Sequence, residues 1–143
     1  MKVALYSKSA RGFVTKVRQE ILQLGINSDP TSIKEFRQTV IESEEQHHKV
    51  VRSFADFYCL SELRDLLFHV KEHQFTIPEI EHMLTRLGLE FCGFESDRAL
   101  NAFVSENPHS DSLYNLSAWS AFESENLDIF SGMYQFWCQK ASD

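Results

Sequence analysis

The run Val3-Ala4-Leu5-Tyr6 constrains the fold more than any other feature of this chain. It is apolar, of strand length and without alternation, the pattern of a strand covered on both faces, as in a parallel sheet. Such a strand needs neighbours, and the next strand pattern lies more than eighty residues on. Leu89-Glu-Phe-Cys-Gly-Phe94 alternates large apolar with small or polar residues, and Met133-Tyr-Gln-Phe-Trp-Cys138 alternates again after Gly132. The order is therefore strand, helices, strand, short helices, strand: an α/β chain.

The intervening residues read as helices with local start and stop signals. Ser9 is placed to cap a helix through Leu24, with Phe13, Val17, Ile21 and Leu24 on one face and Gly25 as the stop. Asp29-Pro30 opens a second helix, since proline in the first turn loses no hydrogen bond, and Ile33, Phe36, Val40 and Ile41 form its stripe. Glu42, Glu44 and Glu45 mark a break, after which Val50, Val51, Phe54 and Ala55 resume the helical period. Ser61 is expected to cap a helix to about Lys71, with Leu63, Leu66, Leu67 and Val70 in register. Thr76-Ile-Pro-Glu79 is a capping box for a helix stopped by Gly88. Helices are also expected from Asp97 to about Ser105 and after a Ser117 cap.

At 143 residues the chain has room for one ordinary domain, 1–143. Charge is unevenly placed. Lys2, Lys8, Arg11, Lys16 and Arg18 stand in the first nineteen residues with no acid, leaving nine cations against 21 acids in the rest. An acidic body of that kind argues against nucleic acid or an anionic membrane as partner. No apolar run approaches the roughly 20 residues of a membrane span, and Met1-Lys2 leads into too few apolar residues for a signal peptide. Three widely spaced cysteines, Cys59, Cys92 and Cys138, suggest neither a disulfide framework nor a metal knuckle. The expectation is a reduced, cytoplasmic protein.

The sharpest chemical string is His69-Val-Lys-Glu-His73. It fits the pattern in which two histidines one helical turn apart bind zinc and a glutamate activates water. A third protein ligand is not in the string, and the helix is due to end near Lys71, so two histidines at a helix C-terminus is the plainer account. His47-His48, in an acid-rich segment, are expected to be exposed. Cys92 and Cys138 read as small buried hydrophobes, and Cys59 as a thiol whose pKa can fall beside a helix start. No metal site is expected. No P-loop or GxGxxG is present, and Tyr6-Ser-Lys-Ser-Ala-Arg11 is not a glycine-rich turn.

Four segments together carry a resemblance: Leu5-Tyr-Ser-Lys-Ser-Ala-Arg11, the long string from Asp56 to Pro78, Leu87-Gly-Leu-Glu-Phe-Cys-Gly-Phe-Glu95, and Gly132-Met-Tyr-Gln-Phe-Trp137. They resemble the C-terminal half of bacterial class I S-adenosylmethionine-dependent methyltransferases, of the type fused to tetratricopeptide repeats. The resemblance implies a partial Rossmann-like methyltransferase sheet of three strands. The first strand would be the family's fifth, with the sixth and the antiparallel seventh following, and a large helical insert covering the substrate side. The family's cofactor site lies in its N-terminal half, so no cofactor-binding residue carries over. S-adenosylmethionine would bind only if such a half completed the fold. By the same resemblance Tyr6 and Ser7 face the catalytic cleft, and Tyr58, Arg64, His69 and His73 are substrate-binding candidates in the insert. The chain is then a substrate-side fragment, not a competent enzyme alone, that self-associates or takes a partner polypeptide. The alternative is a noncatalytic interaction module that uses an open sheet edge.

Overall fold

The computed structural model of the chain describes residues 1–69 and 71–141. In chain order the elements are β1 (Lys2–Ser7), α1 (Gly12–Leu24), α2 (Pro30–Glu42), α3 (Gln46–Val51), α4 (Leu60–Phe68), β2 (Gln74–Phe75), α5 (Ile77–Arg86), β3 (Leu89–Phe94), α6 (Asp97–Glu106), α7 (Leu116–Glu125) and β4 (Met133–Lys140). Short 3-10 turns occupy Ala55–Tyr58 and Ser110–Tyr114. No helix among the described residues is long and apolar enough to cross a membrane. The chain divides into two compact units, Met1–Arg11 with everything from His73 onward, and Gly12–Glu72.

The first unit is an open mixed sheet in the order β2-β1-β4-β3. β1 and β2 run parallel, and β4 is antiparallel to both β1 and β3, as expected for the last strand. β2 is a fourth strand that the sequence pattern does not reveal. It is only two residues long, pairing Gln74 and Phe75 with Tyr6 and Ser7. Tyr134, Phe136 and Cys138 of β4 point inward and are buried, while Gln135, Trp137 and Gln139 point outward. β1 alternates in the same way: Val3, Leu5 and Ser7 turn toward the core side, and Lys2 and Ala4 are exposed. A strand covered on both faces, expected from its unbroken apolar run, is thus corrected. Its outward face is held by polar contacts instead. Lys2 pairs with Glu95 at 2.9 Å, and the Trp137 indole N–H donates to the same carboxylate at 3.0 Å.

A bulge in β3 sets the core. The register shifts between Phe91 and Gly93, and Gly93 has φ of 121°, a conformation that an L side chain rarely adopts. Residues 91 and 94 would face opposite sides of a regular strand; the extra residue turns both phenylalanines inward. There they join Trp119, Phe103, Phe122, Phe130, Tyr134 and Phe136 in one aromatic cluster. Trp119 stacks nearly parallel on Phe103 with ring centroids 3.8 Å apart and meets Phe94 edge-on at 4.9 Å, the edge geometry that aromatic quadrupoles favour. The box Thr76–Glu79 caps α5 as the sequence implies, and Ser96 and Asn115 cap α6 and α7. The Ser117 cap is corrected to Asn115, whose side chain accepts from the Ala118 N–H at 3.1 Å.

The second unit packs α1 to α4 around Val14, Val17, Ile21, Ile33, Phe36 and Val40 with Phe57, Leu63, Leu66 and Leu67. Asp29 Oδ1 accepts from the N–H groups of Thr31 and Ser32, both at 3.0 Å, and fixes the start of α2. Several expectations are revised. α1 starts at Gly12, not after Ser9; residues 8–11 form a turn in which the Arg11 N–H donates to the Ser7 carbonyl at 3.0 Å. Leu24 is exposed. α4 starts at Leu60, with Cys59 at the cap, and ends at Phe68. The Leu66 carbonyl in its last turn is taken by the Arg18 guanidinium, at 2.9 Å from Nε and 2.7 Å from Nη2, and Arg18 also pairs with Glu72 at 2.9 Å. Val70, expected on the α4 stripe, lies outside the described residues.

The outer side of β1 is paired only at Tyr6 and Ser7. The stretch Lys2–Leu5 has no strand partner on that side among the described residues, and unpaired edge groups invite another strand. The chain is therefore expected to self-associate at micromolar concentration in moderate salt. Sedimentation showing a clean, cooperatively folding monomer would contradict this.

Candidate functional site

Because β1, β2 and β3 share one direction, their C-terminal ends lie along one edge of the sheet, the edge where open α/β sheets bind ligands. At the end of β1 the chain makes a tight turn. The Ser7 N–H donates to the Gly132 carbonyl at 2.9 Å, the Lys8 N–H to the Phe75 carbonyl at 2.9 Å, and the Ala10 N–H to Ser7 Oγ at 3.2 Å. Arg11 returns over the Tyr6 ring, 4.5 Å from its centroid, close enough for a cation–π contact.

Behind this turn sits a buried polar cluster. Glu123, on α7, is 4% exposed and Ser7 is wholly buried. Ser7 Oγ donates to Glu123 Oε1 at 3.0 Å, and the Tyr134 hydroxyl lies 2.7 and 2.9 Å from the two carboxylate oxygens. Burial raises the Glu123 pKa, and the hydrogen bonds from Tyr134, Ser7 and Ser9 only partly oppose it. The Tyr134 phenol is also pushed up, chiefly by burial. The cluster therefore holds a proton-affine carboxyl and a phenol that stays protonated, fixed behind the end of β1. Sequence reading missed Glu123. The available signal was an acid in register with the apolar face of α7, at the four-residue step from Trp119.

The six candidate residues are placed as follows. Tyr6 is half-buried beside Arg11, and Ser7 is committed to Glu123. His73 is exposed and directly precedes β2, whose first residue is level with Tyr6. In the helical unit, Tyr58 is exposed at the end of a 3-10 turn, with its ring edge-on to Phe57 at 5.4 Å. Arg64 is exposed on α4, and its backbone carries the helix between the buried Leu63 and Leu66. His69 has extended backbone and lines a cavity of about 310 Å³ with Arg18, Ile21, Ile26, Asn27 and Phe68.

The end of α4 at Phe68 removes the helical face that would have joined His69 to His73, so the zinc-hydrolase pattern loses its geometry. His47 and His48, expected to be exposed, are 3% and 7% exposed. Both reach Glu20 on α1. Burial alone would raise the Glu20 pKa, but hydrogen bonds and charge from His48 and His47 bring it below the usual carboxylate range. Cys138 is buried as expected, and Cys92 is half-buried. The Cys59 thiol is lowered, first by the Ser61 hydroxyl at 3.2 Å and then by backbone N–H groups at the start of α4. Comparison with protein-family models and with curated proteins finds no match to this chain.

Proposed function

We propose that this chain is the substrate-side part of a class I S-adenosylmethionine-dependent methyltransferase of the bacterial, tetratricopeptide-fused kind, and that it needs a cofactor-binding half to act. The observation that carries the reading is the last strand. β4 is the sheet's antiparallel member and pairs on either side with β1 and β3, which fits strands five and six of the resembled family flanking an antiparallel seventh. The long helical segment that follows β1 in the chain supports the same reading, as a counterpart of the insert in the resembled family.

On this reading Tyr6 and Arg11 form the wall of the cleft at the end of β1. Ser7 acts through Glu123 and the turn it holds, as a positioning residue. Of the remaining candidates, all solvent-exposed, His73 belongs to the sheet unit and Tyr58, Arg64 and His69 belong to the helical unit. The open stretch Lys2–Leu5 favours a second reading, a noncatalytic interaction module that pairs through its sheet edge. The first reading is tested on the cofactor. No glycine-rich turn follows β1, so the isolated chain should give no heat when titrated with S-adenosylmethionine. A micromolar dissociation constant for the chain alone would overturn the assignment.

A further inference from the structure

The helical unit contains a cluster that the proposed methyl-transfer reading does not use. Glu20 on α1 and His47 and His48 on α3 each offer one ligand atom, and the three atoms lie within 4.8 Å of one another. Among the described residues this is the one group of three with that convergence. Successive residues of a helix point about 100° apart, so adjacent histidines share a partner only if it lies between them. Glu20 does. Its Oε1 meets His47 Nε2, and its Oε2 lies 2.7 Å from His48 Nε2. The two rings are 4.3 Å apart and tilted by 50°.

The surroundings favour a cation. Both imidazoles are more than nine-tenths buried, whereas the Glu20 side chain keeps 28% of its surface, leaving a way in from solvent. Neighbouring cations are engaged elsewhere: Arg52 donates to the carbonyls of Ile41 and Ser43, and Lys49 pairs with Glu44. His48 also has an outer partner, with its Nδ1 2.7 Å from Ser43 Oγ. That hydroxyl accepts from the Glu45 N–H at 3.2 Å and has a second lone pair to take a proton from Nδ1. An Nδ1–H···Oγ bond would leave the Nε2 lone pair pointing at the carboxylate, the tautomer a metal requires. Ligand atoms on one tetrahedral ion at about 2.0–2.1 Å are about 3.4 Å apart, so small side-chain rotations separate the present cluster from a coordination sphere.

We propose that Glu20, His47 and His48 form a zinc-class divalent metal site, with Ser43 orienting His48 and a fourth position left to water. Two imidazoles and one carboxylate are a donor set that zinc takes, and a hard ion such as calcium would choose oxygens instead. The ion would tie α1 to α3, and its water would be exposed on the Glu20 side.

The test uses the full chain, stripped with chelator and titrated with cobalt(II) as a spectroscopic stand-in and then with zinc. One saturating equivalent of cobalt is expected, with the intense visible bands of a four-coordinate site, displaced by one equivalent of zinc. Glu20→Gln and His48→Gln should weaken zinc by at least about 100-fold, and Ser43→Ala, which leaves all three ligands, by about 10-fold. Circular dichroism checks that each variant is folded. Should a ligand variant not fold, Ser43→Ala carries the test. A control, His69→Gln with His73→Gln, should bind zinc as the parent does. The proposal is overturned if cobalt gives no four-coordinate spectrum, if Ser43→Ala and Glu20→Gln bind zinc like the parent, or if the ion follows His69 and His73.

Discussion

Trp119→Ala is expected to cost about 3–5 kcal/mol of folding free energy, a large share of the roughly 5–15 kcal/mol available to a domain. The indole is wholly buried between Phe103 and Phe94, and its N–H donates to the Leu113 carbonyl at 3.0 Å. Truncation removes the stacking surface, opens a cavity and leaves that carbonyl unpaired. Urea unfolding followed by circular dichroism should show the loss as a lower midpoint. Trp119→Phe, which keeps an aromatic ring but not the donor, should recover about half of it. A cost below about 1 kcal/mol for the alanine variant would mean that the aromatic cluster is not the core of the sheet unit.

The second large effect lies at the end of β1. Tyr134→Phe removes the one hydroxyl that reaches both oxygens of Glu123, and should cost about 1–3 kcal/mol, the penalty for leaving a buried hydrogen-bonding group without its partner. Glu123→Gln tests the same cluster through pH. The folded-state pKa of Glu123 is raised, so its proton is held more tightly in the folded chain than in the unfolded one. Its contribution to stability is then fully present below the unfolded carboxyl value and is lost as pH rises through the folded value. Glu20, Asp29, Glu44 and Glu79 are lowered and act in the opposite sense, which makes the difference between parent and Glu123→Gln the quantity to measure. The parent should lose stability relative to the variant as pH climbs above the ordinary carboxylate range, and then level off. Parallel pH profiles for the two proteins would contradict a buried, proton-affine Glu123.

Features whose causes are local were legible in the sequence. Asp29-Pro30 and the box Thr76–Glu79 start α2 and α5 as written, and Gly25 and Gly88 sit past α1 and α5 in the left-handed region that favours glycine. The alternation of β4 was equally plain. What misled was any residue whose role depends on a distant partner. Ser9 and Ser61 read as caps, yet Ser9 serves Glu123 and Ser61 hydrogen-bonds Cys59. α4 ends early because Arg18, 48 residues away, takes a carbonyl of its last turn. β2 exists only through its pairing with the end of β1, since two residues carry no period. His47 and His48 sit in acid-rich surroundings that suggest solvent, and it is Glu20, 27 and 28 residues earlier, that makes their burial tolerable. Ser7 and Glu123 meet across 116 residues. The candidate site was thus half legible: the end of β1 was readable from the strand and its turn, and the carboxyl behind it was not.

On the proposed reading, this chain is completed as a methyltransferase by a cofactor half supplied from elsewhere. The most direct test is calorimetric titration of S-adenosylmethionine into the chain joined behind a cofactor-binding half from the resembled family, with each half titrated alone in parallel. Micromolar binding is expected from the joined polypeptide and none from this chain alone. A joined polypeptide that folds, with β4 in place between β1 and β3, and yet binds S-adenosylmethionine no better than its separate halves would contradict it.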